Sequence, residues 1–385
     1  MKKVLITNTK YINFGGEDSN IVDEVDLLRK HFKTKYIEFK NSEKLNVLDY
    51  ISFLTFSNIN SNRILSKEIK EFEPDCIYVH NTWFRLSLGI FKIAKKNNIP
   101  LLLKLHNFRY DCAGNFSAKK HLRGKDFCDK CNFKKSKNQI FNKYFTDSYL
   151  RSIFIILFSK RQTKKMKSKN VTLLVMNNFH KNYLVSLGYN ASSIEIYLNP
   201  INLQKVKTYN PQSNYVLFAG RISNEKGVGS LIDSWLDAEV NNLKLFILGE
   251  GEELKSLITQ YDKKSNVKFL GLKTHRETIE YIVNARAVVT ATKMVEGQPR
   301  LLCEASAHGV PSIYPKTGGI DFYFPNNYLL SFEQYNYHDL AKKLKLLENS
   351  NELIKYSEQV QTYLEQILED GKMIEKFTNI LEKKL

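Results

Sequence analysis

Thr292-Lys-Met-Val-Glu-Gly-Gln-Pro-Arg-Leu-Leu-Cys-Glu-Ala-Ser-Ala307 is the stretch whose reading decides the fold. It carries two glutamates, Glu296 and Glu304, and follows the β-rich apolar run Ala287–Ala291. Gly297 and Pro299 come just after the first glutamate. Proline suits the first turn of a helix, where its missing N–H is not needed. The order predicts strand, tight turn, helix, with Glu296 in the turn and Glu304 about a turn and a half into the helix. In an open α/β sheet, ligands bind where the carboxyl end of a strand meets a helix N-terminus. The free backbone N–H groups there favour a phosphate.

The same alternation extends in both directions. Upstream, Tyr215–Ala219 reads as a strand, Gly220-Arg-Ile-Ser-Asn-Glu-Lys-Gly227 as a loop, and the residues from Val228 as a helix. Leu243–Leu248 and Val267–Leu270 are further strands, with a helix over 275–285. Downstream, Pro311–Tyr314 is a strand that ends at Thr317-Gly-Gly319, and the chain from Tyr337 on is helical and charged. The first half repeats the pattern with strands at Val4–Thr9, Thr34–Phe39, Pro74–Asn81, Pro100–His106, Thr172–Met176 and Ile194–Leu198. Gly15 and Gly16 join the first strand to a helix and permit close approach of backbone to a ligand. Alternating strands and helices predict two doubly wound α/β domains with mainly parallel sheets. The boundary is expected in the linker that begins at Asn199-Pro200, giving domains of 1–205 and 206–385.

The 385 residues suffice for two cores, and 43% hydrophobic with 25% charged residues is ordinary for a globular protein. The first residues read as a strand rather than a signal peptide, and no run reaches the roughly 18 apolar residues of a spanning helix. A cytoplasmic location is expected. The net charge of +18 is concentrated: residues 119–169 hold sixteen Lys or Arg against three Asp. Within them lies the apolar run Ser152-Ile-Phe-Ile-Ile-Leu-Phe158. Basic flanks around a short apolar helix favour an anionic membrane surface, met peripherally, over nucleic acid. The alternative is a buried helix with a solvated basic exit. Cys112, Cys128 and Cys131 include one pair at metal-ligand spacing, but the second such pair of a zinc site is missing.

Arg221 and Lys226 place two cations in a strand-to-helix loop, which suits a diphosphate. It is not a Walker loop, since Gly-Lys-Ser/Thr is absent. Glu304 can accept hydrogen bonds from a ribose diol, and Glu296 can hold sugar hydroxyls. In the first half, strand ends deliver His80 and Asn81, then His106, Asn107 and Arg109, which suits a site along one sheet edge.

These residues resemble the GT-B glycosyltransferases, specifically the retaining family four. Gly220–Gly227 is similar to that family's Gly-Arg-x-x-x-x-Lys-Gly loop, and Glu296 to Glu304 to its Glu-x7-Glu motif. Phe269-Leu-Gly271 resembles the strand before the base-contacting segment. Gly15-Gly-Glu-Asp18, Pro74–Asn81, His106-Asn-Phe-Arg109 and the three cysteines resemble a bacterial surface-polysaccharide branch.

The resemblance implies two Rossmann-like domains facing a central cleft, closed by C-terminal helices, and a hexosyl transfer that needs no metal or cofactor. A UDP- or GDP-sugar would be the donor, and a saccharide or lipid-linked saccharide the acceptor, in capsule, O-antigen or exopolysaccharide synthesis. Arg221 and Lys226 would neutralise the leaving diphosphate. Glu304 would bind the ribose, and Glu296 the donor sugar, with Gly297 beside the phosphates. Gly15 and Gly16 would let the first domain approach those phosphates, and His106 would meet the sugar from the acceptor side. Three departures concern the donor pocket: Gln298 replaces an aromatic, Arg300 adds a charge, and Phe322 stands where a glutamate is expected. Competing readings are a GT-B epimerase or hydrolase, a glycosidase built on paired carboxylates, and a basic nucleic-acid binder. The glycosidase leaves Arg221 and Lys226 without a purpose, and the binder rests on charge alone.

Overall fold

The computed structural model describes residues 1–10, 16–41, 52, 55–115, 122, 128, 149–201, 209–240 and 242–385. They form two compact units that divide between Pro200 and Ile201, and the last segment, Asp370–Leu385, belongs with the first unit.

The first unit is built on a sheet of β1 (Lys3–Lys10), β2 (Lys33–Lys40), β3 (Cys76–Val79), β4 (Leu101–Lys104), β5 (Val171–Val175) and β6 (Ile194–Ile196). Their order is β2-β1-β3-β4-β5-β6, and every neighbouring pair is parallel. Val4-Leu-Ile6, Ile77-Tyr-Val79 and Leu101-Leu-Leu103 are buried throughout. A parallel sheet buried on both faces needs such continuous apolar runs rather than an alternating pattern. The strand order reverses between β1 and β3, which is the switch point of this sheet.

The second unit holds β7 (Tyr215–Ala219), β8 (Lys244–Leu248), β9 (Val267–Gly271), β10 (Ala287–Val289), β11 (Ser312–Lys316) and β12 (Ser331–Glu333). Their order is β9-β8-β7-β10-β11-β12, again all parallel. This is the Rossmann order, and its switch point lies between β7 and β10. Both sheets agree with the doubly wound α/β class read from the sequence. The sequence reading lacked β12, whose three residues at the sheet edge carry too little pattern to be seen. Pro299 also differs from expectation. With φ −77° and ψ 98° it stands just outside the helix Arg300–Ala307 instead of in its first turn.

The sequence reading kept 206–385 together, whereas the final helix Asp370–Glu382 groups with the first unit. Its Phe377 packs at 5.4 Å from Phe32, 5.5 Å from Tyr78 and 5.3 Å from Tyr197, ring centre to ring centre. Beneath these rings lies a buried ion pair. Lys104 Nζ is 3.2 Å from Glu24 Oε2, donates to the Leu198 carbonyl at 2.8 Å and lies 4.5 Å from the Tyr197 ring centre. The Tyr78 hydroxyl donates to Glu24. Burial raises the Glu24 carboxyl above its ordinary range, and Lys104 opposes the shift; burial likewise lowers the Lys104 amine against the pull of Glu24.

The basic segment is described from Tyr149 on, as the helix Tyr149–Met166. Its apolar run is split: Ile155, Ile156 and Phe158 are buried, while Ile153 and Leu157, with Leu150 just before the run, face solvent. Among the described residues no helix is long and apolar enough to cross a membrane.

Candidate active site

In the second unit, the switch point brings together the loops that follow β7 and β10. Gly227, at φ +68°, ends the first loop. A Cβ there would stand 2.1 Å from the Ala291 carbonyl oxygen, so this close approach of the two loops requires glycine. The backbone N–H of Lys293 donates to the Glu225 carbonyl at 2.9 Å and ties the loops further. Gly318, at φ +59°, supports the glutamate turn from the loop after β11: a Cβ on it would lie 2.8 Å from the Glu296 carbonyl oxygen.

Those constraints set the charged groups. Lys226 Nζ lies 2.5 Å from Glu296 Oε1, with about a quarter of each side chain exposed (26% and 23%). Thr292 Oγ1 also donates to Glu296 Oε1, at 3.3 Å. Arg221 pairs with Glu225 at 3.0 Å and is 62% exposed, so its guanidinium is held by one solvent-facing contact. Lys293 Nζ donates to Asn224 Oδ1 at 2.9 Å and adds a third cation beside the loop. Glu304 is buried one turn along its helix. Its Oε1 accepts from Arg300 Nε at 2.6 Å and from His275 Nε2 at 2.8 Å. Gly297 and Gln298 are buried between the two glutamates. Arg221, Lys226, Glu296, Gly297 and Glu304, singled out from the sequence, therefore gather at one edge of one sheet.

In the first unit, His80 follows β3 and His106 follows β4. His80 Nδ1 and His106 Nε2 share a hydrogen bond of 3.1 Å. Among the described residues, the buried His106 Nδ1 and His80 Nε2 have no partner. Burial pushes both imidazoles well below their ordinary range; each is lowered further because protonating it would set its charge against that of neighbouring basic groups, His106 and Lys104 for His80, and Lys104 and His180 for His106. Both rings are thus neutral near pH 7. They line a cavity of about 30 Å³ together with Glu17, Asn107 and Arg109. Glu17 accepts from Asn107 Nδ2 at 3.3 Å. Burial raises its carboxyl to about 7; Arg109 and Asn107 oppose this, while Asp18 adds to it.

Gly16 opens the helix Gly16–Arg29 after β1, and Gly15 lies outside the described residues. Cys112 and Cys128 are buried, and Cys131 lies outside the described residues. Among the described residues no group of three or more His, Cys, Asp or Glu is arranged to hold a metal ion.

Sequence reasoning missed Glu17 as a member of the His106 cavity, although it quoted the residue within a motif. It also missed His275, which lies 29 positions before Glu304. Arg300 was seen only as an added charge, yet its spacing of four from Glu304 on a helix places the two side chains on one face.

Comparison with known proteins follows the same division. Residues 201–379 match the model of the family described as Glycosyl transferases group 1. The amylovoran biosynthesis glycosyltransferase AmsD of Erwinia amylovora is 25% identical over 169 residues, 42% of this chain and 48% of AmsD. The chain thus spans about half the length of that relative. A glycosyltransferase of Methanocaldococcus jannaschii named as uncharacterized, MJ1178, is 24% identical over 369 residues, 92% of this chain and 90% of that one. Among solved structures, Anabaena Alr3699/HepE in complex with UDP and glucose has a TM-score of 0.68 at 14% identity, covering 100% of both chains. Sucrose-phosphate synthase of Thermosynechococcus elongatus reaches 0.72 at 12% identity, covering 100% of this chain and 99% of that one. At such identities the structural likeness shows the fold, and that fold is GT-B. Residues 201–379 are thus similar to the glycosyl transferases group 1 family, within a chain whose fold is GT-B.

Proposed function

We propose that this chain moves a sugar from a UDP- or GDP-sugar to a saccharide or lipid-linked acceptor, with retention and without a metal ion, in bacterial surface-polysaccharide synthesis. The observation that carries this reading is the Lys226–Glu296 contact at 2.5 Å, beside Arg221, at the switch point of the second sheet. A carboxylate and two cations meeting at that place suit a sugar joined to a diphosphate. The names of relatives point the same way: AmsD acts in amylovoran biosynthesis, and the HepE structures hold UDP with glucose.

Lys226 has three N–H donors and can keep one on Glu296 while turning others to a phosphate oxygen. Lys226 and Arg221 then stabilise the negative charge that grows on the leaving diphosphate. Glu296, with the backbone at Gly297, holds the donor sugar, and Glu304 holds the ribose. Gly15 and Gly16 serve the donor phosphates. His106, kept neutral by burial, can donate or accept a hydrogen bond to a sugar hydroxyl. In the transfer step the acceptor oxygen bonds to the anomeric carbon as that carbon's bond to the phosphate oxygen breaks. The departing phosphate oxygen takes the acceptor's proton, so no enzyme nucleophile forms a covalent bond.

Leu150, Ile153 and Leu157 on the helix Tyr149–Met166 are solvent-facing among Arg151, Lys160, Arg161, Lys164 and Lys165. That mixture suits peripheral contact with an anionic lipid surface, here the inner face of the cell membrane. Incubating the full chain with a panel of UDP- and GDP-sugars and lipid-linked or free saccharides tests the proposal. Transfer of one sugar with retained configuration is expected in the presence of EDTA. Sugar release that does not depend on an acceptor would move the assignment to a hydrolase, and no turnover of any nucleotide sugar would remove it.

A further inference from the structure

A neutral imidazole carries one N–H donor and one lone-pair acceptor, and the bonds the ring makes set which nitrogen holds the proton. His80 and His106 are joined through one nitrogen each, His80 Nδ1 to His106 Nε2 at 3.1 Å. Their rings lie 20° from parallel, with centres 5.4 Å apart. The outer nitrogens, His80 Nε2 and His106 Nδ1, are buried, and neither has a partner among the described residues. Both rings line the cavity that also holds Glu17.

His80 is fixed from the strand side. Its backbone N–H donates to the Thr7 carbonyl at 3.0 Å, which ties it to β1. Its ring centre lies 4.5 Å from that of Tyr78, and the residue is 3% exposed. Burial and the Lys104 ammonium oppose a second proton on either ring. One proton therefore serves the bond between the rings, and its position sets both tautomers together. If His106 Nε2 donates, His106 Nδ1 is an acceptor, and His80, accepting at Nδ1, carries its own proton on Nε2. If His80 Nδ1 donates, His80 Nε2 is an acceptor and His106 carries its proton on Nδ1. Both rings are thus protonated on Nε2, or both on Nδ1. A mixed pair would set two N–H groups or two lone pairs against each other.

We infer that His80 is a positioning residue for His106: by locking the two tautomers together it decides whether His106 Nδ1 gives or takes the hydrogen bond to a substrate hydroxyl. This rests on the reading that His106 meets a sugar. Without His80, the His106 ring could turn and carry its proton on either nitrogen. Joined to His80, it presents one nitrogen to the cavity, in one sense at a time.

The test has a spectroscopic and a kinetic arm, both on the full chain. Nitrogen NMR of isotope-labelled histidine near pH 7 is expected to show His80 and His106 as neutral rings of the same tautomer. Their signals are assigned by their loss in His80→Asn and in His106→Ala. Asparagine places an amide where His80 Nδ1 lies and can donate or accept, so it keeps the bond to His106. Phenylalanine keeps the ring against Tyr78 and loses the bond. His80→Asn is expected to hold kcat within about threefold, while His80→Phe loses about tenfold or more, the worth of one hydrogen bond. Affinity for UDP or GDP is unchanged in both. A packing role for His80 predicts the reverse order, with phenylalanine the better replacement. Mixed tautomers or a cationic ring in the unsubstituted chain, or a kcat for His80→Phe equal to or above that of His80→Asn, overturn the inference while leaving the transferase reading intact. Unchanged turnover in His106→Ala, or no turnover of any nucleotide sugar, overturns the reading of His106 and the inference with it.

Discussion

Replacing Lys226 with Met removes the ammonium and keeps most of the side-chain volume. At 2.5 Å, with an effective dielectric of about 20, the gross attraction between Lys226 and Glu296 is about 7 kcal/mol. Desolvation of the two ions offsets most of it, and because both side chains are partly exposed the net loss in folding stability is about 1–2 kcal/mol. For a unit of this size that lowers the melting temperature by about 3–6 °C. The loss in catalysis is larger. A preorganised donor aimed at developing charge contributes about 3 kcal/mol, or roughly a hundredfold in kcat. Differential scanning fluorimetry and initial rates with the preferred nucleotide sugar read the two effects separately. In the double substitution Lys226→Met with Glu296→Gln, stability returns toward that of the unsubstituted chain, because no carboxylate is left without its partner, while turnover does not recover. A kcat within threefold of the unsubstituted enzyme for Lys226→Met, alongside the expected melting shift, would refute the reasoning: the lysine would then serve the fold alone.

Two further outcomes follow from the first unit. Lys104→Met leaves Glu24 buried opposite an apolar side chain and is expected to cost about 3–5 kcal/mol in a guanidinium melt, most of which returns when Glu24→Gln is added. A double variant as unstable as the single one would show that packing at Lys104, not charge, is what matters. Glu17 gives a pH signature. Its carboxyl is raised from an ordinary 4.5 to about 7, so the folded state holds this proton more tightly than the unfolded chain. The resulting stability is fully present below pH 4.5 and is lost as pH rises through about 7. Glu17→Gln should flatten that part of the stability-versus-pH curve and be the more stable form at pH 8; parallel curves from pH 4 to 8 would contradict the shift.

The strands were legible because a parallel sheet buried on both faces writes itself as continuous apolar runs, as in Leu101-Leu-Leu103 and Val288-Val289. The switch-point loops were legible because glycine at residue 227 and the two cations sit within eight residues of one another, from Gly220 to Gly227. What escaped the sequence was mostly long-range. Lys104 lies inside the strand read as Pro100–His106, and nothing local marks it, because its partner Glu24 lies 80 positions away. The helix Asp370–Glu382 looked like a continuation of the second half, because nothing local marks that Phe377 will reach the rings of Phe32, Tyr78 and Tyr197. Arg300 is the instructive exception. Its partner is only four residues on, and helical spacing alone implied the contact that fills one side of the Glu304 carboxylate. The donor-pocket departures look different once the contacts are visible. Gln298 is buried and hydrogen-bonds the Cys303 thiol, and Phe322 offers its carbonyl to the Tyr363 hydroxyl at 3.1 Å.

The central claim is that the two glutamates of the 292–307 stretch divide the holding of a nucleotide sugar between them. Parallel titration and turnover measurements on Glu304→Ala and Glu296→Ala, with UDP, GDP and the preferred nucleotide sugar, test it most directly. Glu304→Ala is expected to weaken nucleotide diphosphate binding by about tenfold or more, while Glu296→Ala binds the diphosphate nearly as well as the unsubstituted chain but turns over about a hundredfold more slowly. Equal loss of diphosphate affinity in both variants, or unchanged affinity in Glu304→Ala, would contradict it.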